Sequence, residues 1–147
     1  MNIIDLITPE TVCFINNGWK RDVLELLTEK AALLEKIDNA EVFQQAIEER
    51  ESLLSTGIGL GVAIPHAKIE SVRDFFIITG ILSTPVSWDS IDHKPVSLVF
   101  MIGGPDEAQV QYLQLLSQLM FVVKNDNKRK KLMGAKTAEE FVEQLAL

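Results

Sequence analysis

Ser55-Thr56-Gly57-Ile58-Gly59-Leu60-Gly61-Val62-Ala63-Ile64-Pro65-His66-Ala67 changes character twice within a short stretch. Glycines at alternate positions from Gly57 to Gly61 argue against a helix and permit backbone angles and close approaches that other residues resist. Val62-Ala63-Ile64 then reads as a short strand. Pro65 confines Ile64 to extended geometry and brings no N–H to a ladder. The strand is therefore expected to end near Pro65 and to leave His66 on the following loop.

Upstream of this stretch the pattern is helical. Asp38-Asn39 offers a cap, and Val42, Phe43, Ala46 and Ile47 form an apolar stripe. Arg50 lies three residues after Ile47 and four after Ala46, so it falls on or beside the buried face of that helix. Val23, Leu26, Leu27, Ala31 and Leu34 stripe an earlier helix from Lys20 to Leu34. Before it, Thr8-Pro9-Glu10 starts a turn, Val12 to Ile15 reads as a strand, and Asn16-Asn17-Gly18 closes it.

Downstream, Phe75 to Leu82 and Val96 to Ile102 are nearly continuous apolar runs, the mark of strands covered on both faces. Asp89 to Pro95 reads as the turn-rich connection between them, with His93 exposed in it. After Gly103-Gly104-Pro105, the acids Asp106-Glu107 suit a helix's first turn. The stripe of that helix is read as Val110, Leu113, Leu116, Leu119 and Met120. A last helix begins at Thr137, paired with Glu140 in a capping box. Helices flanking a small mixed sheet, an α/β (α+β) architecture in one domain over residues 1–147, is the economical arrangement.

Composition narrows the function. A chain of 147 residues with 47% hydrophobic content fills a real core, and 24% charged residues is close to the soluble average, which argues against disorder. The net charge of −7 makes nucleic acid and anionic membrane surfaces poor partners, since both require a basic patch. The one basic run, Lys128-Arg129-Lys130-Lys131, reads as a solvated helical face. No stretch approaches the ~20 apolar residues of a membrane span, and Met1-Asn2-Ile3-Ile4-Asp5 is not a signal peptide, so a cytoplasmic protein is expected. The lone Cys13 forms no internal disulfide and reads as a buried structural thiol. One cysteine and two histidines do not make a standard zinc site, and no metal or cofactor is expected.

Of the two histidines, His66 stands where functional groups are often displayed, after a glycine-rich loop and a strand end. From position alone, a structural role is as good a reading. If functional, it serves as a general base, as the partner of a serine nucleophile, or as a nucleophile itself, since neutral imidazole is available at pH 7 and attacks phosphorus well. No Gly-x-Ser-x-Gly nucleophile turn is present, and the glycine-rich loop lacks the lysine of a nucleotide P-loop.

Arg50-Glu51, then Ser55-Thr56-Gly57-Ile58-Gly59, then Gly61-Val62-Ala63-Ile64-Pro65-His66-Ala67, resembles the fructose/mannitol-type IIA domain of the bacterial sugar phosphotransferase system. The resemblance continues through Pro95-Val96-Ser97-Leu98-Val99-Phe100 and the leucine-rich helix after Pro105. It implies a mannitol-type IIA fold and a phosphocarrier. Such domains take a phosphoryl group from the phosphohistidine of the carrier HPr, or its nitrogen-branch counterpart, onto their own histidine. They pass it to a IIB domain or use their phosphorylation state to regulate a target protein. His66 falls on the phosphorylated position. Arg50 offers planar, charge-assisted donors to the phosphoryl group, or else snorkels at a helix edge. Thr56 offers a hydroxyl, or else serves turn chemistry. Many members carry a second histidine before the leucine stripe; here Gln109 holds that position, able to donate a hydrogen bond but not to carry charge, or else a plain helix-surface residue. The opening Ile4-Asp5-Leu6-Ile7-Thr8-Pro9-Glu10-Thr11-Val12 resembles the nitrogen-regulatory branch. A sugar-specific IIA component, or a regulatory module with little transfer, is the alternative.

Overall fold

The computed structural model describes residues 1–147. Its helices are α1 (Ile3–Leu6), α2 (Lys20–Leu33), α3 (Ala40–Leu53), α4 (Gln109–Lys124), α5 (Asp126–Met133) and α6 (Ala138–Ala146). Its strands are β1 (Val12–Ile15), β2 (Gly57–Gly59), β3 (Val62–Ala63), β4 (His66–Lys68), β5 (Phe76–Val86) and β6 (Val96–Gly104). The six strands form one mixed sheet in the order β1-β5-β6-β3-β2, and β4 also pairs with β6. β1 runs parallel to β5, and β3 and β4 run parallel to β6; β5 is antiparallel to β6 and β2 to β3.

The two central strands alternate their side chains between two apolar layers, which is why they read as unbroken hydrophobic runs. Ile77, Ile81, Leu98, Phe100 and Ile102 pack with α4, α5 and α6. Phe76, Ile78, Leu82, Val99 and Met101 pack with α2 and α3 on the other face. No helix is long and apolar enough to cross a membrane.

Local chemistry sets most boundaries as expected. The Asn39 side chain accepts from the Val42 N–H and starts α3. At α6 the Thr137 hydroxyl accepts from the Glu140 N–H, while the Glu140 carboxylate takes the Lys136 N–H rather than that of Thr137, so the box is half formed. β2 and β3 join through Leu60-Gly61, both at positive φ (60° and 76°), the requirement of a type I′ hairpin turn.

Four expectations need correction. The buried face of α4 is Tyr112, Leu115, Leu119, Val122 and Val123, whereas Val110 and Leu113 are exposed. Asp106-Glu107 sit in the turn before α4, whose first residue is Gln109. Cys13 is half-buried, because β1 turns it toward α2 at the layer's edge; burial raises its thiol pKa, opposed by Lys30. His66 is not on a loop: the strand breaks at Ile64-Pro65 and resumes at His66 in the same register, Val62 opposite Leu98 and His66 opposite Ile102. Pro65 lacks a donor but its carbonyl accepts from the Ile102 N–H at 2.9 Å, so β6 holds the chain straight across the proline.

Candidate functional site

β4 puts His66 and Lys68 on one face of the sheet and buries Ala67 on the other, as the two-residue period of a strand dictates. That face meets the first turns of α4, and the C-terminal turn of α3 closes the third side. The resulting cleft, about 550 Å³, is lined by Arg50 and Leu53 from α3, His66 and Lys68 from β4, and Gln109 and Tyr112 from α4. No three His, Cys, Asp or Glu side chains gather to hold a metal ion.

His66 is held on two sides. Its Nδ1 lies 3.1 Å from the Ile64 carbonyl oxygen, an acceptor only, so the contact requires Nδ1–H and leaves the lone pair on Nε2. The Tyr112 ring packs against the imidazole at 5.1 Å between centroids. Burial lowers the imidazole pKa, and the positive charges of Arg50 and Lys68 add to this; the Ile64 contact and Glu51 oppose it. At pH 7 the ring is therefore neutral, the state of a nucleophile.

Arg50 is half-buried at the cleft wall, as its spacing from Ile47 implies. Its Nη1 donates to the Leu54 carbonyl at 2.9 Å, anchoring the guanidinium at the end of α3. No carboxylate pairs with it, so its remaining N–H groups are available to an anion. Gln109 stands at the first helical position of α4, behind Ala108, which supplies no side-chain cap. An uncapped N-terminus leaves backbone donors and the positive end of the helix dipole at the cleft.

Thr56 is not brought to the cleft wall. It is 5% exposed, and its hydroxyl donates to the Glu51 carboxylate while accepting from Trp88 Nε1 at 3.3 Å. Glu51 is itself buried and ion-paired to Lys20 Nζ at 2.7 Å. A buried carboxylate must be met by donors, and Thr56 is one of them. Its expected bond to an incoming group is thus replaced, in this conformation, by a bond that fixes the loop: the Thr56 carbonyl accepts from the Ile64 N–H at 3.0 Å, tying Glu51 to the backbone that positions His66.

Two residues escaped the sequence reading, Lys68 and Tyr112. Lys68 Nζ lies 4.7 Å from the centre of the Tyr112 ring and donates to the Gln109 side-chain oxygen. Its place two residues after His66 on a strand was the available signal; Tyr112 was hidden by the choice of the wrong face of α4. His93 lies exposed in its turn at φ 60°, away from the cleft.

Comparison with known proteins adds an independent line. Residues 6–146 match the model of the family "Phosphoenolpyruvate-dependent sugar phosphotransferase system, EIIA 2". A nitrogen regulatory protein of Bradyrhizobium diazoefficiens is 32% identical across 100% of this chain and 96% of its own. The fructose-specific EIIABC component of Bacillus subtilis is 33% identical across 97% of this chain, which spans 23% of that longer protein. Among solved structures, the nitrogen regulatory protein IIA-Ntr of Neisseria meningitidis superposes with a TM-score of 0.91 at 29% identity, covering 97% of this chain and 98% of the other.

Proposed function

This chain belongs to the EIIA 2 family of the phosphoenolpyruvate-dependent sugar phosphotransferase system, a phosphocarrier family, and on that premise we propose that His66 accepts a phosphoryl group from phospho-HPr or its nitrogen-branch counterpart. The observation that carries the proposal is the Nδ1 contact to the Ile64 carbonyl. It fixes the tautomer and aims a lone pair from Nε2 into a cleft containing an unpaired guanidinium.

In the transfer, the Nε2 lone pair forms the new N–P bond in line with the breaking N–P bond of the donor phosphohistidine. The released electron pair returns to the donor ring, which leaves neutral with its other nitrogen still protonated. His66 keeps its Nδ1 proton on Ile64, and the resulting phosphoimidazolium is stabilised by that bond. No proton has to move. Arg50 meets the equatorial oxygens, and the protein's contribution is positioning and charge compensation. Gln109 stands at the edge of the same cleft, able to offer an amide N–H. Thr56 contributes through Glu51, by holding the backbone under His66.

The group then passes to a IIB domain, or its presence regulates a target protein. The opening segment of the chain, and its superposition on a nitrogen regulatory IIA at a TM-score of 0.91, favour the regulatory branch. Fructose-specific components at 33% and 31% identity, the second matched along 97% of its own length, keep sugar transfer as the second reading.

The test is incubation with phosphoenolpyruvate, enzyme I and each version of HPr, followed by mass spectrometry under alkaline conditions. One added phosphate is expected on wild type and none on His66→Ala. Absence of label with every donor refutes the carrier role. Interaction screening then separates the branches, a sensor or channel partner supporting regulation and a IIB domain supporting sugar transfer.

A further inference from the structure

The cleft holds a second cation, Lys68. Lys68 makes no ion pair, although the chain carries 21 acidic residues. Its ammonium is instead drawn inward, over the Tyr112 ring at 4.7 Å and onto the Gln109 oxygen. The same Tyr112 ring packs on His66 at 5.1 Å, so imidazole and ammonium share one aromatic wall. An ammonium held on a neutral amide and a ring, with no carboxylate paired to it, keeps its positive charge available beside the imidazole.

We propose that Lys68 is a phosphoryl-binding residue: its ammonium leaves the Gln109 oxygen to pair with the phosphoryl group on His66, supplying from β4 the positive charge that a glutamine at position 109 does not. This rests on the reading of His66 as the acceptor. Gln109 and Tyr112 act as the resting dock that keeps the ammonium within reach. Arg50 from α3 and Lys68 from β4 line the same cleft as His66, so both cations stand where the phosphoryl group would arrive. Gln109 suits this arrangement, since its neutral amide oxygen accepts from the ammonium.

The experiment compares wild type with Lys68→Met, which keeps length and loses charge, and Lys68→Arg, which keeps charge. Single-turnover transfer from phospho-HPr is expected to slow at saturating donor by about tenfold in Lys68→Met, the size of one charge-assisted hydrogen bond. The half-saturating donor concentration should change little, and Lys68→Arg should recover most of the rate. Wild-type transfer in Lys68→Met overturns the proposal, as does an equal loss in both variants, which marks a packing role.

Chemical phosphorylation by phosphoramidate, with the second ionisation of the phosphoryl group followed by phosphorus NMR, separates this proposal from the carrier reading. Loss of the adjacent cation should raise that ionisation in Lys68→Met and not in Lys68→Arg. If HPr fails to label wild type, the carrier reading falls while the NMR comparison still decides Lys68. An unmoved ionisation in the chemically phosphorylated Lys68→Met protein refutes it.

Discussion

His66 illustrates how little a residue's type says without its contacts. The same imidazole in water is half protonated near pH 6.5. Here burial, with Arg50 and Lys68 beyond, pushes its pKa down. On the proposed acceptor role the neutral ring is the nucleophile, so phosphoryl acceptance should be flat across neutral pH and decline in acid, with a midpoint below the ordinary histidine value. A stopped-flow pH profile checks this; a midpoint above 6.5 contradicts it. The linkage has a definite sign. The folded pKa lies below the unfolded one, so between them the unfolded chain binds more protons and stability falls as pH falls. His66→Gln should therefore flatten the loss of stability just below pH 6.5, measured by urea midpoints from pH 7 to pH 5. Through the family resemblance, the motif around Pro65 and Arg50 marked His66 as a candidate acceptor and Arg50 as a candidate cation. Thr56 was legible as a hydroxyl near the site, but its commitment to Glu51 arises from a carboxylate buried by Lys20 and Trp88, residues distant in sequence.

Elements position these side chains, and their placement depends on partners. β4 exists because β6 offers it a ladder; read alone, Pro65 ends a strand. β6 is in turn crowded at its end. A side chain on Gly103 would stand 2.3 Å from the Phe76 ring and 3.0 Å from Phe43, both buried and packed on each other with 5.5 Å between ring centres. Gly103 also pairs with Ala67, directly after His66. Gly103→Ala is expected to destabilise by ~1–3 kcal/mol through overpacking, lowering the urea midpoint without changing the slope. An unshifted midpoint contradicts the packing account. The α4 stripe failed in sequence for a related reason. The helix carries apolar residues on more than one face, Val110 and Leu113 outward and Tyr112, Leu115 and Leu119 inward, so periodicity alone did not choose. The sheet chose the face that fills its layer.

At the scale of the molecule, β5 and β6 serve both apolar layers, so neither layer is stable without the other. Phe100→Ala, in the layer of α4 to α6, should cost ~3–5 kcal/mol. Trp88, 1% exposed and in the opposite layer, should report the same transition. In a Trp19→Phe background, which removes the exposed second tryptophan, its fluorescence and the far-ultraviolet circular dichroism are expected to give coincident unfolding curves; two separated transitions would show independent layers rather than one domain. The amino-acid sequence alone made legible α2, α3, α4 and α6, the strands β1, β3, β5 and β6, and the non-helical glycine-rich stretch before β3. These rest on backbone stereochemistry and short-range periodicity, which act within a few positions. Only the tertiary structure decided that the strand continues past Pro65, that α4 turns Tyr112 inward, and that Lys68 stands beside His66 with Gln109 holding its ammonium. Each of those depends on which surfaces meet across the sheet, and burial, desolvation and charge pairing are properties of the meeting rather than of either sequence segment.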